Sequence, residues 1–512
     1  MFKKIIKSFL YILFFLIVIF LVALVVKGQG GNPLLYQSLN SKSTEVGGPF
    51  ESSGSTSRFA LTEAIVEDNT FFLNEKRAKF SMPDVVEANG RYFSIFTPGV
   101  SFVAVPFYML GKVWGIPQIF AYLSTSLFAI LNVFLIYKLT RKLGAGIAAS
   151  LLAGFLFLFA TNALSYSLTL TQHHISTFVI LLSLILALKP VGIINDIFIG
   201  ILCGIGLFAD VPNLILMFPI IVFVLAKHVN REAINSNLNL KLSLKFISFL
   251  IGVVLTFIPF GYYNHGLTGS YLSLPQFIGR APSFETAVEE TYKVGGQVKD
   301  DNKGLNLPFK TRYQLHGLYI LVTSNERGIF YFSPVILIGL VGLYLLFKQF
   351  SSRSVSAVFF AVILTNAFLY SMFGDVTGGW AFGARYMIPT IAILSVCMGI
   401  AIDRYKEKLW FIPIFVVLAA YSIGVNVLGV MTTTQIPPKV EALNLPNPIP
   451  YTYVYNWQLM TERNLNSSLV YNLYLSDRLT SCDYSLLYAG FVFGIILILY
   501  TALIFERKDV KQ

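Results

Sequence analysis

Charge is what this chain has least of. Only 12% of its 512 residues are Asp, Glu, Lys or Arg, while 55% are hydrophobic; soluble domains carry roughly a quarter charged residues. A soluble core of this size would need far more polar surface to cover it, which excludes an ordinary globular fold. Cysteine is scarce as well. Cys203, Cys397 and Cys482 are the whole set, and two of them lie inside apolar runs, which excludes a disulfide framework and a paired-cysteine metal site. The sequence also lacks low-complexity tracts and any internal repeat of fixed period. The net charge of +12 is not gathered into one patch, so the basic surface that nucleic acid requires is missing.

What is there instead is a succession of apolar runs with short basic clusters between them, the footprint of membrane topology. A spanning helix needs about 20 apolar residues to cross a hydrocarbon core about 30 Å thick. The first run, about Phe9 to Val26, follows Lys3, Lys4 and Lys7. It is longer than the apolar part of a secretion signal and no small-x-small cleavage site follows, so it reads as an uncleaved anchor helix. Further runs cover roughly 117–137, 145–165, 174–188, 192–209, 211–227, 243–263, 329–347, 355–373, 386–402, 409–430 and 484–504. With the first helix they make about twelve spans in an all-α integral membrane protein.

The stretch Pro98 to Trp114 decides the parity of everything after it. Counted as a span, it would put Lys138, Arg141 and Lys142 outside, together with Lys227, Arg231, Lys348, Arg353, Arg404, Lys406 and Lys408. Laid in the interface, it puts every one of these inside, as the positive-inside rule demands. Pro98, Gly99, Pro106 and Gly111, with Lys112 and Trp114 at the end, also suit a juxtamembrane helix. The expected layout is a first transmembrane helix over 1–27, an outer loop with juxtamembrane helices over 28–116, and a transmembrane core over 117–430. The core carries an outer loop at 264–327, whose part 283–312 is polar enough to read as a mobile loop. A second outer loop at 431–482, then a last helix and cytoplasmic tail at 483–512, complete the chain. Both termini face the cytoplasm in this multi-pass protein of the plasma membrane.

Four local patterns lie on or beside the outer loops. They are Thr56-Ser-Arg-Phe-Ala-Leu-Thr62 with Asn89-Gly-Arg-Tyr-Phe-Ser94 and Thr97-Pro-Gly99; Tyr263-Asn264 with Gly266 and Gly269; Arg327-Gly-Ile-Phe-Tyr-Phe-Ser-Pro334; and Gly378-Gly-Trp-Ala-Phe-Gly-Ala-Arg-Tyr386 followed by Pro389. In this order they resemble the polyprenyl-phosphate-dependent glycosyltransferases of the GT-C superfamily, which include protein O-mannosyltransferases and the lipid A aminoarabinose transferase. The resemblance covers roughly residues 1–400. It implies transfer of a sugar from a polyprenyl-phosphate donor to a glycan, lipid or protein acceptor on the outer face, with membrane lipid as a standing partner. The acidic pair that well-studied members carry before the Arg of the first loop is absent, its aligned positions being Ser55 and Thr56. Two other readings therefore stay open: a transporter of lipid-linked glycans, and a relative without activity. The absence of charges midway along the spans weighs against the transporter.

Such a transfer needs a carboxylate to take the acceptor proton and cations to hold the departing phosphate. A single base suffices for inversion, because phosphate leaves without the second carboxylate of a glycosidase. Arg58, Arg91, Arg327 and Arg385 lie at outer helix–water boundaries and are the expected phosphate contacts, with snorkelling as the plain alternative. Asp375 shares a loop with Gly378, Gly379 and Arg385. His173 and His174 open a helix; adjacent residues point to different faces, so they read as sugar or phosphate contacts, or as helix-start polarity, rather than as metal ligands. Asp210 reads as a helix cap or a site residue. For the base, Asp84 ranks first, on a loop or helix start, then Glu67 and Asp68 at the end of an expected helix over 58–68. No metal site is expected; a divalent ion is neither required nor excluded by the residues.

Overall fold

The computed structural model describes residues 2–28, 46–234, 237–242, 246–279, 281, 311–349 and 352–506. All but the last two residues of the polar stretch 283–312 lie outside these, as do those of the tail after Glu506. The chain is a helical, multi-pass membrane protein. Six helices are long and apolar enough to cross a membrane: Pro117–Lys142, Ile247–Thr268, Arg353–Ser371, Arg385–Tyr405, Phe411–Met431 and Ser481–Phe505. Shorter apolar helices at Leu10–Ala23, Ile147–Phe159, His173–Ala187, Ile193–Ala209, Asn213–His228 and Pro334–Lys348 fall on the remaining expected runs. In lipid every backbone polar group must be satisfied within the segment, which is why these runs fold as helices.

Small residues let the helices touch backbone to backbone. A Cβ on Gly200 would come within 2.2 Å of the Phe249 carbonyl oxygen, and one on Gly252 within 2.1 Å of that of Ile197. These two glycines lock Ile193–Ala209 against Ile247–Thr268. Gly342 does the same for the 337–348 helix, where a Cβ would lie 1.8 Å from the Cys397 carbonyl oxygen.

Two expectations change. The run 145–165 is not one helix: it stops at Phe159 and resumes as the single turn Ala163–Tyr166. Thr161 Oγ donates to the Phe157 carbonyl at 2.6 Å and accepts from the Ala163 amide at 3.2 Å, so its side chain takes over backbone bonds and ends the helix. The first loop is partly helical, as expected, but it also holds two strands that an all-α fold leaves out. Helices Ser53–Glu67 and Glu75–Phe80 are followed by an antiparallel hairpin, Val85–Ala88 with Arg91–Ser94, turned by Asn89 and Gly90 at φ 54° and 71°. Gly99–Val113 is a helix containing Pro106, with Met109, Leu110, Val113 and Trp114 exposed towards its end.

The two ends of the bundle differ. At one end Lys227 Nζ donates to the Lys189 carbonyl at 3.0 Å, Gly146 N to Asp403 at 3.2 Å and Ala148 N to Glu506 at 3.0 Å. Lys142, Lys189 and Lys227 are neighbours there. A second hairpin, Val229–Ile234 with Asn237–Leu242, follows at this basic end. At the other end the 46–98 and 432–480 segments fold over the helices. Buried Glu51 fastens them, accepting from Lys27 Nζ at 2.9 Å, Gly47 N at 2.7 Å and Thr434 N at 2.9 Å. The Lys27 ammonium and these donors hold its carboxyl below the ordinary range despite burial.

Candidate functional site

The site is built from the folded end of the bundle. The Ser53–Glu67 helix carries ten consecutive buried residues, from Ser55 to Ala64, and Arg58 is among them, 3% exposed. Its guanidinium lies 3.8 Å over the Phe96 ring, donates from Nη1 to the Gly54 carbonyl at 2.7 Å, and from Nη2 to Gln172 Oε1 at 2.7 Å. Its buried Nε has no partner. Burial pulls its pKa down to about 10, Asp210 and Asp84 oppose that shift, and Arg385 adds to it. Arg58 therefore stays a cation at neutral pH with another cation beside it.

Arg385 follows the second Gly-rich loop. Gly378, Gly379 and Gly383 have φ of 72°, 66° and 63°, a region that glycine enters without strain. At Gly378 a Cβ would also stand 2.9 Å from Arg385 Nε. The Arg385 guanidinium lies 5.3 Å from the Tyr386 ring centroid, and its buried Nε has no partner. Tyr386 stacks on Tyr370 with ring centroids 4.4 Å apart and planes at 4°. His173 completes the wall, 6.0 Å from Tyr386 and 5.3 Å from Tyr166, within the fields of Arg385 and Arg58. Tyr166 accepts from the Phe382 amide at 3.0 Å and so ties the 163–166 turn to the glycine loop.

Three carboxylates surround the arginines. Asp84, 7% exposed, accepts from Ser53 Oγ at 2.7 Å, and its carbonyl accepts from Ser57 Oγ at 2.8 Å. It stands on the turn just before the hairpin, so it caps no helix. Asp210 accepts from Gln172 Nε2 at 3.1 Å. Burial pushes its carboxyl up to about 6, against the pull of Arg58. Asp375 is exposed, accepts from Thr377 Oγ at 2.8 Å, and acts on Arg385 and Tyr386.

The other expected residues are placed elsewhere. Arg327 is fully buried, but it donates to the carbonyls of Thr377 at 3.1 Å, Glu326 at 2.8 Å, Gly379 at 3.1 Å and Ile436 at 2.8 Å. The expectation of a phosphate contact gives way to a structural role, in which Arg327 pins the glycine loop that presents Arg385. His174 is also structural, with Nε2 2.8 Å from the Ala163 carbonyl and its own carbonyl accepting from Asn132 at 2.9 Å. Arg91 is exposed on the hairpin, over Phe72 at 4.8 Å. Glu67 and Asp68 do not reach the arginines. Glu67 is nine residues along the helix from Arg58, about 13 Å, and accepts from Tyr108 at 3.0 Å and Lys112 at 2.8 Å. Asp68 is paired with Arg77, which also holds buried Glu63 at 2.7 Å. Among the described residues no three His, Cys, Asp or Glu side chains come together as a metal site.

Fold and site together define a polytopic helical membrane protein with a sheltered pair of arginines at one end of its bundle. No family model matches the chain, and no curated protein does. Among solved structures it is similar to ArnT from Cupriavidus metallidurans in the apo state, with 13% identity and a TM-score of 0.48 over 97% of this chain and 76% of that one. The same protein bound to undecaprenyl phosphate is matched with 13% identity and a TM-score of 0.45, over 96% of this chain and 78% of that one. An oligosaccharyltransferase from Archaeoglobus fulgidus in complex with zinc and sulfate is matched with 13% identity and a TM-score of 0.39, over 80% of this chain and 53% of that one.

Proposed function

We propose that the protein is a glycosyltransferase that moves a sugar from a polyprenyl-phosphate carrier to a glycan, lipid or protein acceptor on the outer face of the plasma membrane. One observation carries the reading. Arg58 and Arg385 are held close enough to repel each other, and each has a buried Nε without a partner. An anion between them removes the repulsion and takes charge-assisted hydrogen bonds. Phosphate is an anion that the planar fork of arginine fits, and the proposed donor carries one.

In the reaction the bond from the anomeric carbon to the phosphate oxygen breaks, and the phosphate keeps the electron pair. The acceptor oxygen bonds to the same carbon from the opposite side, so the configuration inverts, and its proton goes to a carboxylate. Asp84 is the proposed base, fixed by Ser53; Asp375 is the second choice. Arg58 and Arg385 hold the leaving phosphate. His173 and the Tyr370–Tyr386 pair form the wall against which the sugar lies.

The basic end of the bundle is the cytoplasmic one in this proposal, with twelve spans and both termini inside. After removal of Cys482, an impermeant thiol reagent should label Tyr474→Cys, 73% exposed, from outside and leave Leu409→Cys, 85% exposed, untouched. The function itself is tested with purified protein in lipid nanodiscs, a polyprenyl-phosphate donor with labelled sugar, and extracted envelope acceptors. Label should pass to the acceptor, and Asp84→Asn should cut turnover by about 10²–10⁴-fold with donor binding intact. Movement of the intact lipid across a vesicle bilayer without cleavage of the sugar–phosphate bond would overturn the reading in favour of a transporter.

A further inference from the structure

Between Arg58 and Asp210 stands one neutral side chain. Gln172 Oε1 accepts from Arg58 Nη2 at 2.7 Å while its Nε2 donates to Asp210 Oδ2 at 3.1 Å. The amide can face only this way, because the reverse orientation would set its NH2 against a guanidinium and its carbonyl against a carboxylate. Gln172 sits just before the His173–Ala187 helix, 9% exposed. A buried arginine needs a counter-charge, and Asp210 supplies it from one amide length away.

We infer that Gln172 is a positioning residue that aims Arg58 at the donor phosphate and keeps Asp210 from occupying the guanidinium. This rests on the proposed function and extends it. A carboxylate in direct contact would take the fork of Arg58 in a bidentate pair and compete with the phosphate for the same donors. With the amide in between, the charge of Asp210 still offsets the burial of Arg58, while Nε and the remaining Nη hydrogens stay uncommitted to any acid. Phe96 under the guanidinium and the Gly54 carbonyl fix its plane; Gln172 fixes its rotation within that plane.

The test measures binding of undecaprenyl phosphate to the purified full chain in nanodiscs. Gln172→Met removes both hydrogen bonds and should weaken binding by about tenfold, the usual worth of a charge-assisted bond. Gln172→Glu keeps the size and should weaken it further, because the new carboxylate pairs with Arg58. In an Arg58→Ala background neither change should weaken binding again, the non-additivity expected of residues acting through one partner. Thermal unfolding of each variant identifies any that misfold, and the near-isosteric Gln172→Glu keeps the test informative if Gln172→Met does. Binding by Gln172→Glu as tight as that of the unaltered protein overturns the inference alone. So does an equal loss from Gln172→Met with and without Arg58. Failure of the unaltered protein to bind overturns the proposed function, and this inference with it.

Discussion

Arg327 and Arg385 enter the same end of the bundle from similar surroundings, each beside glycine and aromatic residues at the start of an apolar run. Their fates differ. Arg327 is bonded to four backbone carbonyls and is fully enclosed. Arg385 has tyrosines around it, a buried Nε without a partner and a second arginine as neighbour. A boundary arginine in a glycine-rich loop can thus be the fastener of the loop or the tool the loop presents, and only the location of its donors separates the two. Here the fastener holds the tool, since two of the carbonyls on Arg327 belong to Thr377 and Gly379 of the Arg385 loop.

The largest expected effect breaks the fastener. Arg327→Met leaves four carbonyls without their donor, two of them buried and two half-buried, and each buried unsatisfied group costs about 1–3 kcal/mol. Thermal unfolding in detergent should show a protein destabilised by several kcal/mol, and Arg327→Lys should not rescue it because a single ammonium cannot span the four acceptors. A variant that stayed stable and lost only donor affinity would erase the contrast. The next effect tests the tool. Arg385→Lys keeps the charge but not the fork, and should weaken donor binding by roughly 10- to 100-fold, equivalent to about 1.5–3 kcal/mol, with the melting temperature unchanged.

The smallest effect sharpens the comparison at Arg58, through the carboxylate that Gln172 links to it. The Asp210 carboxyl is raised from its ordinary 3.8 to about 6. Between those values the folded protein keeps a proton that the unfolded chain has released, so stability should fall as pH rises through that window. Asp210→Asn should flatten that part of the melting profile. A profile that rises over the same window in the unaltered protein would contradict the raised value.

Much of the helical frame was legible because lipid leaves the backbone so few options: apolar runs of sufficient length fold as helices, and most observed ends fall within a few residues of those read from hydropathy, the first helix and the runs 145–165 and 329–347 excepted. The hairpin is missing from the all-α expectation, although Asn89-Gly90 is a strong turn signal. The 159–163 break was not legible, because Thr161 and Asn162 are mild interruptions inside an apolar run and only packing decides which backbone bonds they replace. Arg58 and Arg385 come together, with Asp84 beside the first, Asp375 beside the second and His173 near both, a grouping that their separate places in the sequence do not show. The burial of Arg327, the His174 bond to Ala163 and the capture of Asp68 by Arg77 depend on tertiary contacts that no local pattern encodes. Gln172 carried no signal at all: a neutral amide becomes informative only when its two neighbours of opposite charge are seen.

Joint capture of a lipid-linked phosphate by Arg58 and Arg385 underlies everything proposed for this site. The affinity of the purified protein in nanodiscs for undecaprenyl phosphate, set against that for undecaprenol, the same lipid without the phosphate, probes it without intermediate steps. The unaltered protein should prefer the phosphate by about 100-fold or more, as two charge-assisted contacts imply, and the Arg58→Ala/Arg385→Ala double variant should bind both lipids equally weakly. Equal affinity of the unaltered protein for the two lipids, or a preference that survives loss of both arginines, would show that the pair does not hold the phosphate.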